Sequence, residues 1–113
     1  MDEQTRTRML ERFIQAANRG DVDEVKSLFA TDARLISDGG GKAVAVRRIL
    51  HGAERIAMLW AMVFRRNREG IERRIVRVNG ELGLATSFRG KLHSVTTIDT
   101  DGERIYTYRS ACP

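Results

Sequence analysis

Apolar residues near the start of the chain recur at the three- and four-residue spacing of one helical face. Met9, Leu10, Phe13, Ile14 and Ala17 carry that stripe, which predicts a helix over residues 5–19. Asn18-Arg19-Gly20 supplies a glycine stop. Asp21, with Glu24 three positions on, has the reciprocal pattern of a helix start. A second, short helix then carries Val22, Val25, Leu28 and Phe29 on its apolar side. The tight turn between the two predicts a V of packed helices.

Beyond Thr31-Asp32 the helical spacing stops. Residues 33–37 and the Val-rich residues 42–49 read as two strands, joined by Asp38-Gly39-Gly40-Gly41-Lys42. After His51-Gly52 a third helix is expected to about Arg68. Ile56, Leu59, Trp60, Val63 and Phe64 form its stripe, broadened by Met58 and Met62. It is the most hydrophobic helix and is expected to lie across the concave face of a sheet.

From Ile71 the period becomes that of strands. Asn79-Gly80 and Asp101-Gly102 are strong hairpin signals and Arg89-Gly90 a weaker one. They divide the remainder into strands at 71–78, 82–89, 91–99 and 104–110. Short turns make consecutive strands antiparallel. The expected fold is a single α+β domain over residues 1–113, in the order ααββαββββ: a cone of three helices and one curved antiparallel sheet of about six strands.

At 113 residues the chain has room for one core. Its 42% hydrophobic and 31% charged content is ordinary for a soluble domain. No apolar run approaches the roughly 20 residues of a membrane span. The start, Met1-Asp2-Glu3-Gln4, does not read as a signal peptide. One cysteine, Cys112, cannot form an internal disulfide, which fits a cytoplasmic location. The net charge of +5 comes from arginine, much of it at Arg65, Arg66, Arg68, Arg73, Arg74 and Arg77. Binding to nucleic acid would call for these on one face with aromatics free to stack. Phe13, Phe29, Trp60 and Phe64 instead fall at core-type positions, so a solvated basic face is the favoured reading.

Several segments together resemble a known group. Phe13-Ile14-Gln15-Ala16-Ala17 with Gly20-Asp21, Ser37-Asp38-Gly39-Gly40-Gly41-Lys42, Gly52-Ala53-Glu54-Arg55-Ile56 and Val78-Asn79-Gly80-Glu81 carry the likeness. It is to the NTF2-like superfamily in its SnoaL-like branch, and more narrowly to the SnoaL-like C-terminal extension of extracytoplasmic-function sigma factors. The resemblance covers nearly the whole chain, and Asp-Gly-Gly-Gly-Lys is its most specific element. In that group the extension follows sigma domains that bind RNA polymerase and promoter DNA, and those do not occur in these residues. The resemblance implies a non-catalytic domain that modulates transcription initiation by docking, with a sigma factor or an RNA polymerase-associated protein as partner. It also implies a homodimer. The alternative it leaves open is a small-ligand carrier or an isomerase or cyclase acting in the cone.

The residues themselves bear on both readings. Gly39, Gly40 and Gly41 with Lys42 are not a phosphate loop, because they lead into a strand and no helix N-terminus follows. Either they form a flexible turn, or Asp38 and Lys42 are the charged contacts of a docking loop. For acid–base chemistry His93 is the weak candidate, placed by alternation on the inward face of its strand with Val95 and Thr97. No carboxylate partner can be named for it. Tyr106 and Tyr108 share a face of the last strand, and with Trp60 and Phe64 they are candidates to line a pocket for a small apolar ligand. At helical spacing, Trp60, Met58 and Met62 are better read as core. Two distant histidines and a terminal cysteine do not make a metal site, and no cofactor is expected.

Overall fold

The computed structural model describes residues 2–38, 47–66 and 69–112. Helix α1 spans Glu3–Arg19, α2 spans Val22–Leu28 and α3 spans Ala53–Arg66. The strands are β1 (Phe29–Asp38), β2 (Arg47–His51), β3 (Ile71–Val78), β4 (Glu81–Phe88), β5 (Lys91–Thr100) and β6 (Ile105–Ala111). The element order is the expected ααββαββββ.

Local chemistry explains the helix ends. Asp2 accepts the Thr5 amide at 2.7 Å and Asp21 accepts the Glu24 amide at 3.1 Å, which caps α1 and α2. Gly20 takes φ of 67°, a left-handed turn that lets its amide and that of Asp21 reach back to Ala17 and Ala16. Asn79-Gly80 and Arg89-Gly90 both have two successive positive φ angles, as tight hairpins between twisted strands require.

The six strands form one curved, open sheet in the order β2-β1-β6-β5-β4-β3. Four of its five pairings are antiparallel, as expected. The fifth, β1 with β6, is parallel and sits inside the sheet, so the sheet is mixed rather than wholly antiparallel. No short connection announces that pairing in the sequence. The register shifts in three pairings: between Phe29 and Arg34 of β1 against β6, and at two bulges. One lies where Thr86 pairs with Ser94 but Ser87 pairs with Leu92, which leaves His93 as the extra residue. The other lies opposite Asp99 and Thr100 and makes Tyr106 the extra residue of β6.

The core fills the concave side. Met9, Leu10 and Phe13 of α1 and Ile56 and Trp60 of α3 meet Leu35, Leu84, Ile98, Ile105 and Tyr108 of the sheet. Phe13 is its hub. Its ring lies 5.2 Å from Trp60, 5.5 Å from Tyr108 and 6.4 Å from Phe29, distances at which tilted and edge-on pairs attract. Phe29 is buried as expected, but from the first position of β1 rather than from α2. Met58 and Met62 do not broaden the buried stripe of α3: they are 70% and 50% exposed. They fall on the side of the helix turned from the sheet, where periodicity with Ile56 and Trp60 does not reach.

Candidate functional site

The inner face of the sheet is defined by register. Arg73 opposes Thr86, Leu84 opposes Thr96, Ile98 opposes Tyr108, and Tyr108 opposes Leu35. Beneath the C-terminal half of α3 this face encloses a cavity of about 220 Å³. Leu35, Leu59, Trp60, Val63, Ile71 and Tyr108 supply its apolar wall. Its polar lining is Arg73, His93, the hydroxyls of Ser37, Thr86, Ser94 and Ser110, and Cys112.

Trp60 and Tyr108 of the four expected lining residues therefore reach the cavity. Phe64 packs on Trp60 at 5.7 Å but faces a second, larger groove. That groove, about 700 Å³, runs between the α1–α2 turn, α3 and β3, and carries Arg19, Arg65 and Glu72 as well as Arg73. Tyr106 lies elsewhere. It is 43% exposed and its hydroxyl donates to Asp101 at 3.0 Å. The bulge at Tyr106 breaks the alternation that would have put it beside Tyr108.

His93 reaches the cavity rim, yet not by the alternation that suggested it. Val95 and Thr97, its expected companions, oppose Ala85 and Arg109 on the outer face. Ser94, Thr96 and Ile98 point inward instead, and the bulge brings His93 to the same mouth. It is exposed, and no hydrogen bond joins it to a carboxylate among the described residues. Gly39, Gly40, Gly41 and Lys42 lie outside the described residues. Asp38 is described: it ends β1, opposite Arg47 of β2, one residue beyond the cavity-lining Ser37.

One buried group, Tyr108, and one half-buried group, Arg73, set the electrostatics of the cavity. Burial pushes the Tyr108 phenol up to about 12, although a hydrogen bond with Thr96 and the positive charge of Arg73 pull the other way. Thr96 donates to that phenol oxygen at 3.4 Å. Desolvation likewise holds the Arg73 guanidinium below its usual value. The Trp60 indole N–H is buried with no hydrogen-bond partner among the described residues. Sequence reasoning missed Arg73, which reads as one of a basic run. The signal was present in Ile71-Glu72-Arg73-Arg74-Ile75, where strand alternation puts Arg73 on the apolar face between two isoleucines.

No three His, Cys, Asp or Glu side chains converge as metal ligands among the described residues. Within the same residues no helix is long and apolar enough to cross a membrane.

A helix pair and a long third helix closing a curved sheet over a small cavity define an NTF2-like α+β fold. Residues 10–109 match the SnoaL-like domain model, and the chain belongs to the SnoaL-like domain family. Its structure is similar to the extracytoplasmic function sigma factor SigJ of Mycobacterium tuberculosis, with a TM-score of 0.73 and 23% identity. That match covers 99% of this chain and 43% of the sigma factor, so this chain spans less than half of it. A SnoaL-like protein of unknown function from Burkholderia thailandensis also gives 0.73, at 14% identity, covering 99% of this chain and 97% of that one. A proposed isomerase from Bacillus subtilis gives 0.67 at 15% identity, with 100% and 90% covered. At these identities the likeness is one of fold. No curated protein matches the chain.

Proposed function

We propose that this domain is a non-catalytic recognition module of the kind carried by sigma factors. It docks through the Asp38–Lys42 segment and so modulates transcription initiation. Its partner is a sigma factor or an RNA polymerase-associated protein. The observation that carries this reading is the make-up of the cone. Among the described residues that line the cavity the charged or titratable groups are Arg73, His93, Tyr108 and Cys112, with no carboxylate to complete an acid–base pair. The fold likeness to SigJ and the start of the segment at the sheet's β1–β2 edge support it further.

Co-purification with the core domains of an extracytoplasmic-function sigma factor tests this. A stable complex that is lost on replacing Asp38 and Lys42 together by Ala is expected. No complex, or one indifferent to that pair, refutes docking through this segment.

The module pairs with a second copy through the outer sheet face. Gly83, Ala85 and Ser87 there are small and closely covered, and Val76, Val78, Val95 and Thr97 stand half-buried beside them. Light scattering at micromolar concentration should give twice the chain mass.

The enclosed cavity favours a second reading, a small-ligand carrier. Ligand sites are concave and largely apolar with a few placed polar groups, and this one has that composition at the scale of a single-ring molecule. Saturable change in Trp60 fluorescence on adding small organic ligands would support it, and a flat response across them would remove it.

A further inference from the structure

We propose that the cone cavity selects a compact organic acid, with the Arg73 guanidinium taking its carboxylate and the apolar wall taking its body. The inference rests on the small-ligand reading and specifies the ligand's class.

Three observations converge. First, Arg73 is a cation on an inward position of β3 without a counter-charge. It donates to the side-chain oxygen of Asn18, at 3.0 Å. Its strand neighbour Arg77 has Glu3 at 2.7 Å, and Arg109 has Asp99 at 2.9 Å. No carboxylate stands within ion-pair distance of Arg73 among the described residues. A guanidinium offers five N–H donors in a planar fork, and one of them is engaged here.

Second, two buried groups at hand have donors to offer. The Trp60 indole N–H is a donor only, is buried, and has no partner among the described residues. The Tyr108 oxygen accepts from Thr96, which leaves its own proton to give. An ionised carboxylate accepts from all of these donors and matches the charge of Arg73, whereas a neutral amide or alcohol supplies no counter-charge. Third, the volume bounds the part of a ligand that is buried. About 220 Å³ lined by Leu59, Val63 and Ile71 suits one ring or a short chain, and the hydroxyls at the rim accommodate either donor or acceptor.

The test uses benzoate and hexanoate against their neutral amides, benzamide and hexanamide. Trp60 is the chain's one tryptophan, so its fluorescence reports the cavity directly, with calorimetry as a second readout. The wild-type protein should bind at least one acid about tenfold or more tighter than its amide, as a charge-assisted hydrogen bond implies. Arg73→Gln should bring that ratio close to one, and Arg73→Lys should fall between. Acid and amide binding equally would overturn carboxylate selection and leave the ligand cavity standing. Neither binding at millimolar concentration overturns both. Inorganic phosphate competing as well as benzoate would mark a plain anion site and also refute the proposal. The wild-type comparison decides the matter even if the Arg73→Gln variant does not fold.

Discussion

Gly83 occupies a strand position where the sequence alone would invite a larger residue. Its backbone is not in the left-handed region, so alanine is conformationally allowed. By restricting the unfolded chain alone, Gly83→Ala should stabilise by about 0.4–1 kcal/mol. The structure requires the opposite sign. A Cβ at this position would lie 2.4 Å from the Thr96 carbonyl oxygen, 3.2 Å from Val78 Cγ2 and 3.4 Å from Thr97 Cγ2. An ordinary carbon–oxygen contact is about 3.3 Å or longer, so β4 and β5 would have to separate by most of an ångström. Overpacking of that kind costs about 1–3 kcal/mol. Less the entropic gain, the midpoint expectation is a net loss of about 1.3 kcal/mol, which lowers Tm by about 5 °C in a domain of this size. Scanning calorimetry and urea unfolding followed by Trp60 fluorescence measure it. Gly80→Ala is the control, because nothing lies within 4 Å of its Cβ and its φ of 83° carries only the left-handed backbone cost. Faster amide exchange along β5 should appear in the Gly83 variant alone. A Gly83→Ala protein as stable as the parent would refute the close approach of the two strands.

Other expectations follow from the core and the caps. Phe13→Ala removes the 1%-exposed hub of the ring cluster and should cost about 3–5 kcal/mol, a large share of the ~5–15 kcal/mol total typical of such domains; urea unfolding checks this. Asp21→Ala strips the cap from α2 and should cost about 0.5–2 kcal/mol, visible as a lower urea midpoint. Tyr108 gives a pH dependence of definite sign. Burial raises its folded pKa to about 12 from the ordinary phenol value of 10.0, so the native state holds the proton more tightly than the unfolded chain. Its contribution is complete below about pH 10 and is lost as pH rises toward 12, by up to about 3 kcal/mol. Tyr108→Phe should flatten that part of an alkaline unfolding profile; an unchanged slope would place the cause in other groups.

Much of the fold is legible locally. The caps at Asp21 and Gly20, the Asn79-Gly80 turn and the two periods of hydrophobicity place every helix and the meander from Ile71 onward. What was hidden is long-range or depends on one extra residue. The parallel seating of β1 beside β6 leaves no trace in either strand. The bulges at His93 and Tyr106 invert the expected alternation: they move one residue to the cavity mouth and turn the other out to solvent. Met58 and Met62 are as apolar as their neighbours but point the wrong way, because the helix buries only one side. Arg73 was obscured by the company it keeps. Its role emerges only when its strand is paired and its facing residue, Thr86, is known.

The parallel pairing of β1 with β6 also has a bearing on how the domain is made. Leu35 cannot take its neighbour until Tyr108 exists, so the seam between β1 and β6 waits for β6 to be synthesised. Until then β1 presents an unpaired flank while β3, β4 and β5 can already form their local meander. Such late, distant pairing slows folding and lengthens the time for which a sticky edge is exposed. During synthesis that flank of β1 stays open until residues 105–111 emerge. Shortening the chain within that last strand should not trim the domain but prevent it from closing.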